Sequence, residues 1–181
     1  MSNEKIRVLL VDDHEVLRDG LRLLLEGEPD IVVIGEAADG QQALERAKEL
    51  EPDVIVMDLG LPDMSGIEVT RQIVRDDPEM KILVLSMHTK NEFVIKAIES
   101  GASGYVPKAS THESLLVAIR TVSGGKRYLH PLAANALMEN YIDQESSLQQ
   151  RFQKLTEREQ DVFCLSAKGF TSKEIGEQLI I

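Results

Sequence analysis

The chain has 181 residues, 43% hydrophobic and 28% charged, which allows one large domain or a medium domain plus a smaller piece, with an ordinary core. A net charge of −11 argues against a protein whose main surface is a nucleic-acid footprint, and the single Cys164 excludes an internal disulfide framework. No apolar run approaches a membrane span, and the first residues lack the apolar stretch of a signal peptide, so a cytoplasmic location is expected.

Ile6 to Val11 reads as a strand that ends on Asp12-Asp13. Val16, Leu17, Leu21, Leu24 and Leu25 follow at helical spacing, closed by Gly27 and Pro29. Ile31 to Glu36 is a second, less apolar strand. Asp39-Gly40 caps a helix whose inner face is Ala43, Leu44, Ala47 and Leu50. Val54-Ile55-Val56-Met57 is an unbroken apolar run, as suits a strand buried on both faces of a parallel sheet. It ends on Asp58, and Gly60 and Pro62 break it into a loop.

A third helix spans Ser65 to Asp76, with Ile67, Thr70, Ile73 and Val74 inward. Lys81 to Ser86 is a fourth strand and ends on a hydroxyl. Phe93, Val94, Ala97 and Ile98 mark a fourth helix, closed by Gly101. Ser103 to Val106 is a short fifth strand, followed by Pro107-Lys108. Leu115, Leu116, Ile119 and Val122 mark a fifth helix, stopped by Gly124-Gly125. Five strands alternating with five helices imply right-handed βαβ units, a parallel sheet and helices on both faces.

From Tyr128 the pattern changes. Leu132, Ala133, Ala136, Leu137 and Tyr141 keep helical spacing before a polar drift, so residues 126–154 read as a partly helical linker. Residues 155–181 hold two short helices. Thr156-Glu157-Arg158-Glu159 and Thr171-Ser172-Lys173-Glu174 each fit a capping box, with Gly169 between them as a C-cap. The apolar end Leu179-Ile180-Ile181 suggests a sequence that breaks off inside a larger unit. Residues 129–181 carry five basic and eight acidic side chains, so this segment lacks a basic footprint for a DNA backbone.

The special residues fall at strand ends in order. Asp12 and Asp13 end the first strand, Asp58 the third and Ser86 the fourth, and Lys108 follows the fifth. All lie at the carboxyl edge of a parallel sheet, where ligands bind in open α/β folds. Clustered carboxylates repel unless a cation sits among them, and hard oxygens with room for water suit Mg²⁺. A carboxylate can also act as a nucleophile toward phosphorus. The Lys108 ammonium and the Ser86 hydroxyl can then meet phosphoryl oxygens. Each residue alone is weak evidence, since adjacent acids, a serine or a lysine after a strand are usually surface groups or caps. Their joint order is far more specific.

Val11-Asp12-Asp13-His14, Met57 to Gly66, and Gly104-Tyr105-Val106-Pro107-Lys108-Ala109 resemble the motifs of two-component response regulator receiver domains. The resemblance covers residues 5–125. It implies the flavodoxin-like strand order 2-1-3-4-5 and Asp58 as phosphoacceptor. Asp12, Asp13, Asp58 and the Gly60 backbone carbonyl would hold Mg²⁺. Ser86 and Lys108 would contact the phosphoryl group, and Tyr105 would reorient on activation. Many receivers carry threonine where Ser86 stands, and the wider family carries proline where Ala109 stands.

Residues 155–181 resemble the start of a LuxR-type helix-turn-helix, as in NarL/FixJ-type regulators. The resemblance implies a sensor histidine kinase as partner, phosphorylation-promoted homodimers, and control of transcription by the full-length protein rather than conventional enzymatic turnover. In that family the base-reading helix lies beyond Ile181, so specific DNA binding is not expected of these 181 residues.

Two other classes fit less well. A haloacid-dehalogenase-type phosphatase needs a second aspartate at position 60, which is Gly60. A flavodoxin-like FMN binder needs a phosphate loop where Asp12 to Glu15 would repel one. His14, His88, His112 and His130 show no metal-ligand spacing and read as surface or loop residues, with His88 near the pocket mouth. Cys164 reads as core.

Overall fold

A computed structural model describes residues 5–87, 91–135, 137–138, 156–167, 170–171 and 174. The chain divides into two compact units, Met1–Leu137 and Met138–Ile181. His88, the polar stretch 139–155, Gly169, the Cys164 side chain and the apolar end 175–181 lie outside the described residues.

The first unit alternates strands and helices: β1 (Ile6–Val11), α1 (Glu15–Glu26), β2 (Ile31–Ala37), α2 (Gly40–Leu50), β3 (Val54–Met57), α3 (Gly66–Asp76), β4 (Ile82–Ser86), α4 (Asn91–Glu99), β5 (Gly104–Pro107), α5 (His112–Ser123) and β6 (Tyr128–Leu129). The sheet order is β2-β1-β3-β4-β5-β6, with every neighbouring pair parallel. The expected order 2-1-3-4-5 is present, but the sheet has six strands rather than five. Tyr128 and Leu129 pair with Gly104 and Tyr105, so the stretch read as linker begins inside the sheet. Two residues are too few to show a strand period, which is why the sequence concealed them.

The central strands β3 and β4 are buried along their whole length, while β2, at the sheet edge, is mostly half-buried. Alternate residues of β1 serve opposite faces. Val8 and Leu10 pack with Leu25 of α1 and with Leu115 and Ile119 of α5. Leu9 and Val11 pack with Ala43 and Ala47 of α2 and with Val69 and Ile73 of α3. A third cluster sets Tyr105 against Val84, Val94, Ala97 and Ala133. Burial of large aliphatic side chains at roughly 1.5–3 kcal/mol each is the main source of stability here.

Helix starts follow local chemistry. The Asp39, Ser65 and Thr111 side chains accept the backbone N–H of Gln42, Ile67 and Ser114. Ser65 is therefore the cap of α3, not its first helical residue. One expectation for α1 fails: Val16 is 87% exposed and Leu17 is only partly covered, whereas Leu25 is buried. Val16 and Leu17, in the first turn, line an open groove with Leu85, Val106 and Leu115.

In the second unit, α6 (Glu157–Ala167) follows Thr156, whose Oγ1 accepts the Glu159 N–H at 3.4 Å. Both capping boxes form. Thr156 donates its N–H and Oγ1–H to Glu159 at 2.8 Å each, and Thr171 does the same to Glu174 at 2.8 and 2.7 Å. No helix among the described residues is long and apolar enough to cross a membrane.

Candidate functional site

The carboxyl ends of β1, β3, β4 and β5 converge. Val11 and Met57 are the last paired rung of β1 and β3, so Asp12 and Asp58 stand side by side at the sheet's tip. The Asp58 N–H donates to the Val11 carbonyl at 2.9 Å, and the Asp12 N–H donates to Ala37 at 3.1 Å. On the other side, the Lys108 N–H donates to the Ser86 carbonyl at 2.8 Å, which carries the β4–β5 ladder one residue past Pro107. The backbone thus delivers Lys108 to the same tip.

The Lys108 ammonium bridges the acids, at 2.6 Å from Asp12 Oδ2 and 2.7 Å from Asp58 Oδ2. All three side chains are at least nine-tenths buried. Burial alone would push the ammonium's pKa down, but the hydrogen bonds it donates to Asp12 and Asp58 outweigh that and hold Lys108 above its ordinary value. Asp58 Oδ1 accepts the Leu59 N–H at 2.8 Å, and Asp12 Oδ1 accepts the His14 N–H at 2.9 Å.

Asp13 is more open, and its Oδ1 lies 2.7 Å from His14 Nδ1. Asp12, Asp13, His14 and Asp58 each present a ligand atom within 4.8 Å of the others. Three carboxylates face one ammonium here, which leaves two formal negative charges where two of the acids are buried. A divalent cation with hard-oxygen preference fits that balance. Gly60 adjoins the cluster: a Cβ there would stand 3.7 Å from Asp58 Oδ2.

Ser86 is fully buried, and so is Tyr105, whose hydroxyl lies within reach of the Ser86 side chain. Burial raises the Tyr105 pKa, the Ser86 side chain opposes that, and the Asp58 charge adds to it, so the phenol stays neutral. All seven residues singled out from the sequence, Asp12, Asp13, Asp58, Gly60, Ser86, Tyr105 and Lys108, lie on or just after these strands.

A model of the response regulator receiver domain matches residues 8–120. The chain belongs to the response regulator receiver family.

The chain is also similar over most of its length to transcriptional regulators that carry such a receiver. It is 44% identical to the transcriptional regulatory protein LiaR of Bacillus subtilis, over 97% of this chain and 83% of that protein. It is 38% identical to the response regulator VraR of Staphylococcus aureus, over 94% of this chain and 79% of that one. A LuxR-family two-component response regulator structure from Aurantimonas superposes with a TM-score of 0.74 at 42% identity, covering 77% of this chain and 99% of that one. The structure of response regulator ChrA, from a heme-sensing two-component system, covers 98% of this chain and 82% of that one, with a TM-score of 0.62 and 33% identity. These relatives are response regulators and not conventional enzymes.

Three residues of this receiver escaped the sequence reading. His14 is exposed, as expected of a surface histidine, yet its ring belongs to the acidic cluster. Arg18 donates to the Asp12 carbonyl. Asp63, in the loop after Asp58, accepts the N–H groups of Gly40 and Gln41 at 2.7 and 2.9 Å and ties that loop to the start of α2. Only for His14 was there a local signal, its place next to two acids.

Proposed function

We propose that this response regulator accepts a phosphoryl group on Asp58 from a sensor histidine kinase, to control DNA binding and transcription by the full-length protein. The observation that carries this reading is the buried Asp58 carboxylate held 2.7 Å from the Lys108 ammonium at the tip of β3, beside two further acids. In the transfer, an Asp58 carboxylate oxygen bonds to phosphorus as the phosphorus–nitrogen bond to the kinase histidine breaks, and the imidazole leaves. Lys108 is already placed to meet the charge that arrives. Asp12, Asp13, Asp58 and the Gly60 carbonyl would hold Mg²⁺, which when bound neutralises phosphoryl oxygens and orients them.

The hydroxyl of Ser86 lies within reach of Tyr105. A phosphoryl group on Asp58 competes for it, and that difference in interaction is what a two-state switch requires. Homodimerisation of the phosphorylated form is the expected readout. Residues 155–181 act as the first part of a LuxR-type helix-turn-helix, an assignment supported by the paired capping boxes. Turnover is limited to acceptance and slow hydrolysis of one phosphoryl group. The test is chemical trapping. After treatment with acetyl phosphate and Mg²⁺, hydroxylamine should convert only Asp58 to a hydroxamate on peptide mapping. Trapping at another aspartate would refute the assignment.

A further inference from the structure

We infer that Arg18 is a positioning residue for the metal-binding acids, acting through the backbone of Asp12. This rests on the reading of Asp12, Asp13 and Asp58 as a divalent-metal site. Asp12 has four polar groups and each is engaged. Its N–H goes to Ala37, Oδ1 to the His14 N–H, Oδ2 to Lys108, and its carbonyl to Arg18 Nη1 at 2.6 Å. The carbonyl lies past the end of β1, where no strand offers it a ladder partner. The guanidinium stands in for that partner.

Arg18 is itself anchored. Its Nε lies 2.7 Å from Glu36 Oε2 on β2, and the side chain is only 14% exposed. One rigid fork therefore clamps β2 to the β1–α1 loop, a geometry that a single ammonium cannot reproduce. The Asp12 carbonyl belongs to the peptide plane that leads into Asp13. Fixing that plane restricts where the Asp13 carboxylate can point, and Asp13, unlike Asp12, is not held by burial. Glu36 also meets Arg22 Nη1 at 3.3 Å, so the carboxylate that anchors Arg18 is itself held from α1.

The experiment compares the 181-residue protein with Arg18→Met and Arg18→Lys, titrating Mg²⁺ against backbone amide chemical shifts and measuring the Mg²⁺ dependence of phosphorylation by acetyl phosphate. Loss of groups that orient metal ligands weakens metal affinity by about 10–100-fold. Arg18→Met should weaken Mg²⁺ binding by at least about tenfold, with the phosphorylation rate restored at saturating Mg²⁺. Arg18→Lys should recover only part of the affinity. If Arg18→Met does not fold, the lysine variant alone decides, and wild-type affinity in it would overturn the inference. A folded Arg18→Met with a lower melting temperature but unchanged Mg²⁺ affinity would also overturn it, as a purely structural clamp. Failure of the unmodified protein to bind Mg²⁺ would instead overturn the metal-site reading on which this rests.

Discussion

Lys108 and Asp58, fifty residues apart in the chain, meet through a 2.7 Å contact between Nζ and Oδ2 that is almost wholly shielded from water. Removing one partner of such a pair leaves a buried charge uncompensated, at a cost of about 3–5 kcal/mol. Lys108→Met should therefore unfold at lower denaturant in EDTA, and Mg²⁺ should recover part of the loss by compensating Asp12 and Asp58. Urea unfolding with and without Mg²⁺ checks this. Equal stability of variant and parent in EDTA would contradict it.

The same pair sets an alkaline limit. The native pKa of Lys108 lies above its ordinary value of 10.5, with Asp12 and Asp58 overcoming the effect of burial. A group raised in the folded state contributes stability that is complete below its unfolded pKa and is lost as pH rises through its folded pKa. Stability should thus decline from about pH 10.5 upward, and Lys108→Met should flatten that decline. Denaturant melts across pH 9 to 12 give the comparison.

Asp13 is predicted to matter for metal and not for folding. It is the most open of the three acids, and its Oδ1 meets the His14 ring. Asp13→Asn should weaken Mg²⁺ affinity about tenfold or more. Its melting temperature should hold or rise, since repulsion among the carboxylates falls. Calorimetric titration with Mg²⁺ reads the first effect and thermal unfolding the second. A large loss of stability with unchanged affinity would reverse the roles.

Gly66 lets α3 approach the phosphoacceptor's own backbone. A Cβ at this position would stand 2.0 Å from the Asp58 carbonyl oxygen, and the Gly66 N–H donates to the Leu59 carbonyl at 3.0 Å. Gly66→Ala should cost about 1–3 kcal/mol, as overpacking does, and should slow phosphorylation by displacing Asp58. Unchanged stability and rate would show that α3 can shift freely.

The placement of the candidate site was legible because buried parallel strands write themselves as apolar runs, and a polar residue at the end of each run marks a tip. Asp58 after Val54–Met57 and Ser86 after Ile82–Leu85 are of this kind. Lys108 was legible only by its place after β5. Arg18 and Asp63 were not, because what they do depends on partners that the fold supplies. Glu36 and the Asp12 carbonyl meet Arg18 across two elements, and Gly40 meets Asp63 across twenty-three positions. β6 was too short to show a period, and its role follows from covering the Tyr105 edge of β5. Val16 followed the helical period but lies on the rim of an open groove rather than in the core.

The central claim is that Asp58 is the phosphoacceptor. Intact-mass measurement of the protein after incubation with acetyl phosphate and Mg²⁺ tests it most directly. The account predicts one added phosphoryl group on the unmodified chain, none without Mg²⁺, and none on Asp58→Asn. Equal labelling of Asp58→Asn would contradict it.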